Sequence, residues 1–169
     1  RERVKEYVPP ALVLPHGKMG NSTSGFSFDG NGKFGPFKNQ LLISDQTFSI
    51  VNRGFLEKVN GVYQGAVFPF LKGFGSGNIT SYMDPSGILF VGGTDRGWGA
   101  RGGKRFALDR VKWTGKVPFE IHEMRAKPDG FELTFTHEVD PKTAGDADSY
   151  SLKGWTYILQ SKYGSPEVD

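Results

Sequence analysis

The sequence predicts an all-β fold, on three observations. Its 24 glycines and 10 prolines are spread along all 169 residues, with no single tract holding them. Short apolar runs lie between these breakers, several of them alternating apolar with small or polar side chains. The 14 phenylalanines supply core material that a disordered chain lacks. Scattered glycines between short apolar runs mean many tight turns, and therefore many short strands.

Residues 1–10 are charged and then proline-rich, and read as a connector. Ser24–Phe28 alternates apolar with small residues. Gln40–Ser44 is a short apolar run of the kind buried on both faces. Ser49–Glu57 is again extended, carrying Ile50, Val51, Phe55 and Leu56, and Tyr63–Leu71 closes a first group. Asp29-Gly30-Asn31-Gly32 and Asn60-Gly61 are its turns. A second group follows the same plan. Asn78–Met83 is a strand, Asp84-Pro85-Ser86-Gly87 a turn, and Ile88–Val91 a buried strand. A glycine-rich loop then runs from Gly92 to Lys104. Phe106–Trp113 alternates, with Phe106, Leu108 and Arg110 on one side and Ala107, Asp109 and Val111 on the other. Phe26, Phe28, Leu41, Leu42, Ile43, Phe90 and Val91 are expected to be buried.

The two groups share an order of strand, turn, apolar strand, loop and longer strand, with a period of about 50 residues. That period lies within the range of β-propeller blades; a plain antiparallel meander is the alternative. From Pro118 glycine thins out. Phe119–Met124, the turn Pro128-Asp129-Gly130 and Phe131–Thr136 make a hairpin with one wet face and one core face, and Asp148–Tyr157 supplies a further strand. These strands read as the start of a β-sandwich cut at Asp169. The expected division is therefore connector 1–10, two blades 11–116 and a partial sandwich 117–169. A chain so divided is expected to come from a larger protein, and to associate or pack loosely if expressed alone.

Composition sets limits on function. With 21 basic and 18 acidic side chains, the net charge of +3 is too mild to imply nucleic acid. No apolar run approaches the roughly 20 residues of a membrane span. The absence of cysteine excludes disulfides, thiolate metal sites and cysteine nucleophiles within this chain.

Antiparallel pairing orders the loops. Alternate connections share one face, which groups 15–22, 45–48, 72–77 and 92–105; the other face receives the tight turns. The first face carries His16, Lys18, Gln46, Asp95, Arg96, Trp98 and Arg101, the candidate ligand-binding residues. Arginine offers paired donors to a carboxylate or phosphate, and an indole offers a flat apolar surface to a sugar ring. The alternative is a structural loop in which Asp95 pairs with Arg96 or Arg101 and Trp98 fills the joint between sheets. Asp45 either caps its turn or joins Asp95 at a metal; His122 and His137 read as surface residues. No catalytic residue is assigned.

Leu14-Pro15-His16-Gly17, Gly35-Pro36-Phe37 and Gln40–Thr47 resemble the late blades of glucose/sorbosone dehydrogenase propellers. Phe55–Gly65, Gly92–Gly99, Trp113–Lys116 and Tyr163–Asp169 resemble more closely the large secreted dehydrogenase-like proteins of planctomycete-type bacteria. The resemblance implies a six-bladed propeller, an adjoining immunoglobulin-like module and a cytochrome c partner domain, in the periplasm or outside the cell. It also implies a sugar or polyol dehydrogenase using pyrroloquinoline quinone and calcium, with its catalytic histidine on an early blade beyond this chain. Arginines that hold the quinone in such enzymes fall by position near Gly77 and Ile79, and neither can make a charged contact. Two functions are therefore expected: the end of such an oxidoreductase, or a non-catalytic propeller module binding a glycan or a protein partner.

Overall fold

The computed structural model of the protein describes residues 8–158 and 167–168. Residues 1–7 of the expected connector, and Tyr163–Pro166 and Asp169 of the last resembling phrase, lie outside them. The chain is all-β, with antiparallel sheets and almost no helix. It divides into two compact units: Ala11–Thr136, and a smaller one of Arg1–Pro10 with His137–Asp169.

In the larger unit, strands β1 (Thr23–Phe28), β2 (Leu41–Asp45), β3 (Ile50–Val59) and β4 (Val62–Lys72) form one antiparallel sheet in chain order. Asn60 and Gly61 take φ of 49° and 86° between β3 and β4, the left-handed pair that a two-residue hairpin requires. Pro69 sits on β4, at the sheet's edge, where a residue without an N–H is tolerated best. Strands β5 (Asn78–Met83), β6 (Ile88–Thr94) and β7 (Phe106–Lys112) form a second, three-stranded sheet. The Asp84 carboxylate shapes its turn by accepting from the amides of Ser86 and Ile88.

The core lies between these two sheets. Leu42 and Val51 from the first meet Leu89 and Val91 from the second, with Phe34 and Phe74 from the loops and Phe70, Met83, Val111 and Trp113 around them. Ala107, Asp109 and Val111 face inward from β7, while Phe106, Leu108 and Arg110 face out.

Two of the phenylalanines expected in this core are not in it: Phe26 is 65% exposed and Phe28 55%. The reason is which side of β1 the next sheet chose. β5 packs on the small-residue side, where Ser27 and Ser81 share a hydrogen bond of 3.0 Å and a side chain at Gly25 would meet the Ile79 carbonyl at 3.0 Å. Phe26 and Phe28 alternate to the opposite side. Leu41 and Phe90 are half-buried, and Leu42, Ile43 and Val91 are buried.

Strands β8 (Ile121–Lys127) and β9 (Gly130–Phe135) form a hairpin within the same unit. A fully buried cation holds it there. Arg53 of β3 has no exposed surface. Its guanidinium lies 4.5 Å from the centre of the Phe37 ring and 4.4 Å from that of Phe68. It donates to Gln40 Oε1, to the His122 carbonyl at 2.9 Å and to the Ile121 carbonyl at 2.5 Å. His122, expected at the surface, is half-buried, and its Nε2 lies 2.9 Å from the Pro36 carbonyl. Burial lowers the Arg53 pKa to about 10, against the opposing pull of Glu120, so the group stays charged at neutral pH.

In the smaller unit the strand expected over Asp148–Tyr157 is reduced to β10 (Thr156–Tyr157), paired with β11 (Glu167–Val168). Two capped turns precede it, and the second takes the first two residues of the expected strand. Asp140 caps the single helical turn α1 (Pro141–Ala144), and Asp146 caps a 3-10 turn at Ala147–Ser149 by accepting from the Asp148 amide. Among the described residues no helix is long and apolar enough to cross a membrane.

Candidate functional site

The four loops grouped by strand parity do converge at one end of the two sheets. Asp45, at the end of β2, is fully buried and accepts from the amides of Asn21 at 2.7 Å, Ser22 at 2.9 Å and Phe48 at 2.8 Å. It therefore caps its own turn and pins the 15–22 loop beside it. Asn21 Nδ2 adds a bond to Thr47 Oγ1 at 3.1 Å.

Gln46 is the anchor of the long 92–105 loop. Its buried side-chain amide lies within 3.2–3.3 Å of the carbonyls of Thr94, Asp95 and Gly99. It reaches those carbonyls because residue 77 is glycine: a Cβ there would meet Gln46 Nε2 and the Thr94 carbonyl, both at 2.7 Å. Three more bonds hold the loop's return. The Arg101 amide donates to the Thr47 carbonyl at 3.0 Å, the Gly102 amide to Ser49 Oγ at 3.0 Å, and the Lys104 amide to the Gly75 carbonyl at 3.0 Å. Gly102 is also required by closeness, since a Cβ there would lie 2.5 Å from the Ser76 amide nitrogen.

The pinned loop presents its tip outward. Asp95 turns it, accepting from the Gly97 amide through Oδ1 at 2.8 Å and from the Trp98 amide through its carbonyl at 3.0 Å. Arg96 takes φ of 54°, and its guanidinium stands 5.8 Å from the centre of the Trp98 ring. Trp98 is 86% exposed, so it does not fill the joint between the sheets. Arg101 lies over the Phe48 ring at 4.2 Å, its side chain exposed. His16 and Lys18 are exposed on the neighbouring loop.

Of the seven candidate residues, Arg96, Trp98 and Arg101 thus share the surface of one ordered loop, His16 and Lys18 lie on the loop tied to it through Asp45 and Thr47, and Gln46 and Asp95 hold the loop's shape from within. Phe48, which supports Arg101, was not among the candidate residues, although strand parity had placed its loop, 45–48, on this face. Arg53 was missed as well, although a cation inside the run Ile50–Phe55 marks a buried polar partner.

The quinone and calcium implied by resemblance do not fit these positions. Gly77 is packed against Gln46 and the Thr94 carbonyl, so no cation stands there for a quinone carboxylate. The Asp45 oxygens are taken by three backbone amides. Compared with protein-family models, with curated proteins and with solved structures, the chain matches none.

Proposed function

We propose that the chain carries late blades of a secreted propeller-type protein, and that its loop face is a saccharide-binding surface. The observation that carries the binding reading is Trp98: a large apolar ring, almost wholly in water, on a loop held from beneath by Gln46, Ser49 and Thr47. Exposing an indole forgoes the burial that would stabilise the fold, and a pinned loop loses little entropy when it binds. Supporting the propeller reading are the two sheets repeating one plan, the core between their faces, and β5 lying against β1. The hairpin β8–β9 then begins an immunoglobulin-like module. The test is a glycan array probed with the unaltered protein and with Trp98→Ala. Signals lost in the variant support the reading; an identical profile overturns it.

A dehydrogenase reading rests on the resembling phrases alone, and places the chemistry on blades outside this chain. Reconstitution of the intact gene product with quinone and calcium, assayed by dye reduction over a panel of sugars and polyols, tests it. No reduction with any of them would end it.

A further inference from the structure

We infer that the saccharide bound at the Trp98 face is acidic: a chain bearing sulfate or carboxylate groups that the surrounding cations engage while a ring lies on the indole. The inference rests on the saccharide-binding reading above and names its ligand class.

Charge distribution carries it. The segments 15–22, 45–49, 72–77 and 92–105 hold six of the protein's 21 basic side chains: Lys18, Lys72, Arg96, Arg101, Lys104 and Arg105. They hold two of its 18 acidic ones, Asp45 and Asp95. A third carboxylate, Asp109 of β7, also reaches this end, its Oδ2 accepting from the Gly75 amide at 2.9 Å, so the cations outnumber the carboxylates there without being free of them. Asp45 is fully buried under three backbone amides, and Asp95 Oδ1 accepts from the Gly97 amide inside the turn. All six cations are exposed. Most of the basic side chains lie elsewhere, but there they are balanced by acidic ones, and the excess of positive charge falls at the end where the most exposed indole stands.

Three of the six cations, the arginines, are also set against rings. Arg96 stands by the Trp98 ring, Arg101 lies on Phe48, and Arg105 lies 5.6 Å from the centre of the Phe106 ring. The backbone between them is fixed at residues 101, 102 and 104 by the bonds to the neighbouring loops. Guanidinium groups set on rings and spaced along a stiff loop suit separate anionic oxygens along a polymer, each reached by a forked donor. A neutral glycan would use the indole and leave this charge idle.

The experiment is titration of the intact gene product, followed by calorimetry, with four size-matched oligomers: sulfated glycan, uronate glycan, neutral glycan and single-stranded DNA. Expected is at least tenfold tighter binding of one acidic glycan than of the neutral one. That binding should weaken about tenfold between 50 and 200 mM salt, as release of counterions from a few contacts requires. It should also fall about tenfold in the Arg96→Ala/Arg101→Ala double variant and in Trp98→Ala, with thermal melts unchanged. The sulfated and uronate arms separate the two sources of negative charge. Neutral glycan bound as tightly as the acidic ones, with Trp98 dependence, overturns the acidic assignment and leaves the saccharide reading standing. No saccharide bound at all overturns both. DNA bound as tightly, with the same dependence on Arg96 and Trp98, overturns the glycan class in favour of a general polyanion surface. Salt dependence is read on the unaltered protein, so a variant that fails to fold does not rescue the inference.

Discussion

Replacing Arg53 by methionine tests what holds the β8–β9 hairpin to the sheet before it. Methionine keeps most of the stem volume between Phe37 and Phe68 and removes every donor. The Ile121 carbonyl and Gln40 Oε1 lose their charged partner, while the His122 carbonyl keeps the Gln40 amide at 2.9 Å. Each buried acceptor left without a donor costs about 1–3 kcal/mol. Against this stands the relief of no longer burying a guanidinium, whose cost shows in a pKa lowered to about 10. The net expectation is a loss of about 2–4 kcal/mol, since removing one member of a buried polar cluster strands the others. Arg53→Lys retains the charge but not the fork, and should recover less than half of the loss. The assay is urea unfolding combined with hydrogen exchange. Amides of β8 and β9 should exchange at least tenfold faster relative to those of β6, whose Leu89 and Val91 stay packed. A change under about 0.5 kcal/mol, the range of ordinary surface substitutions, would refute the reasoning. So would faster exchange spread evenly over both sheets.

Leu42→Ala should destabilise by about 2–5 kcal/mol, because its side chain fills the space between the two sheets, whereas Phe26→Ser should change stability by less than about 0.5 kcal/mol; denaturant midpoints compare them directly. Gly77→Ala should displace the Gln46 amide, costing about 1–3 kcal/mol by overpacking, and it should speed exchange in residues 94–105 above all; unchanged exchange there would mean the loop is held by other bonds. The Glu57 carboxyl is held below its ordinary pKa chiefly by the Ala126 amide, then by Gln64, with Arg125 adding charge. Its folded-state pKa being the lower one, its contribution is complete above about 4.5 and lost as pH falls through the depressed value. Glu57→Gln should therefore flatten the acid limb of the stability curve, and an acid limb identical to that of the unaltered protein would remove Glu57 from the account.

The sequence by itself determined the strands and turns of the larger unit, because these depend on neighbours along the chain. Alternation, the Asn60-Gly61 hairpin turn and the Asp84 turn all act within a few residues, and strand parity then groups the loops around Trp98 at one end. It also placed Arg96, Trp98 and Arg101 together, since they occupy one loop. Only the tertiary structure decided which face of β1 is covered. Phe26 and Phe28 satisfy the pattern of a buried strand, yet β5 approaches the side of Gly25 and Ser27, a choice made by long-range packing that no local window contains. Likewise the roles of Gln46 and Arg53 depend on carbonyls 48 to 69 residues away in sequence. Over Asp148–Tyr157 the local signal was misread for the opposite reason. Asp146 caps a 3-10 turn that takes Asp148 and Ser149 out of the expected strand, and of the rest Thr156–Tyr157 pairs with Glu167–Val168. Composition determined the charge balance, but its concentration around one exposed indole is a property of how the loops meet. Charges far apart in sequence add their fields only when folding brings them onto one surface.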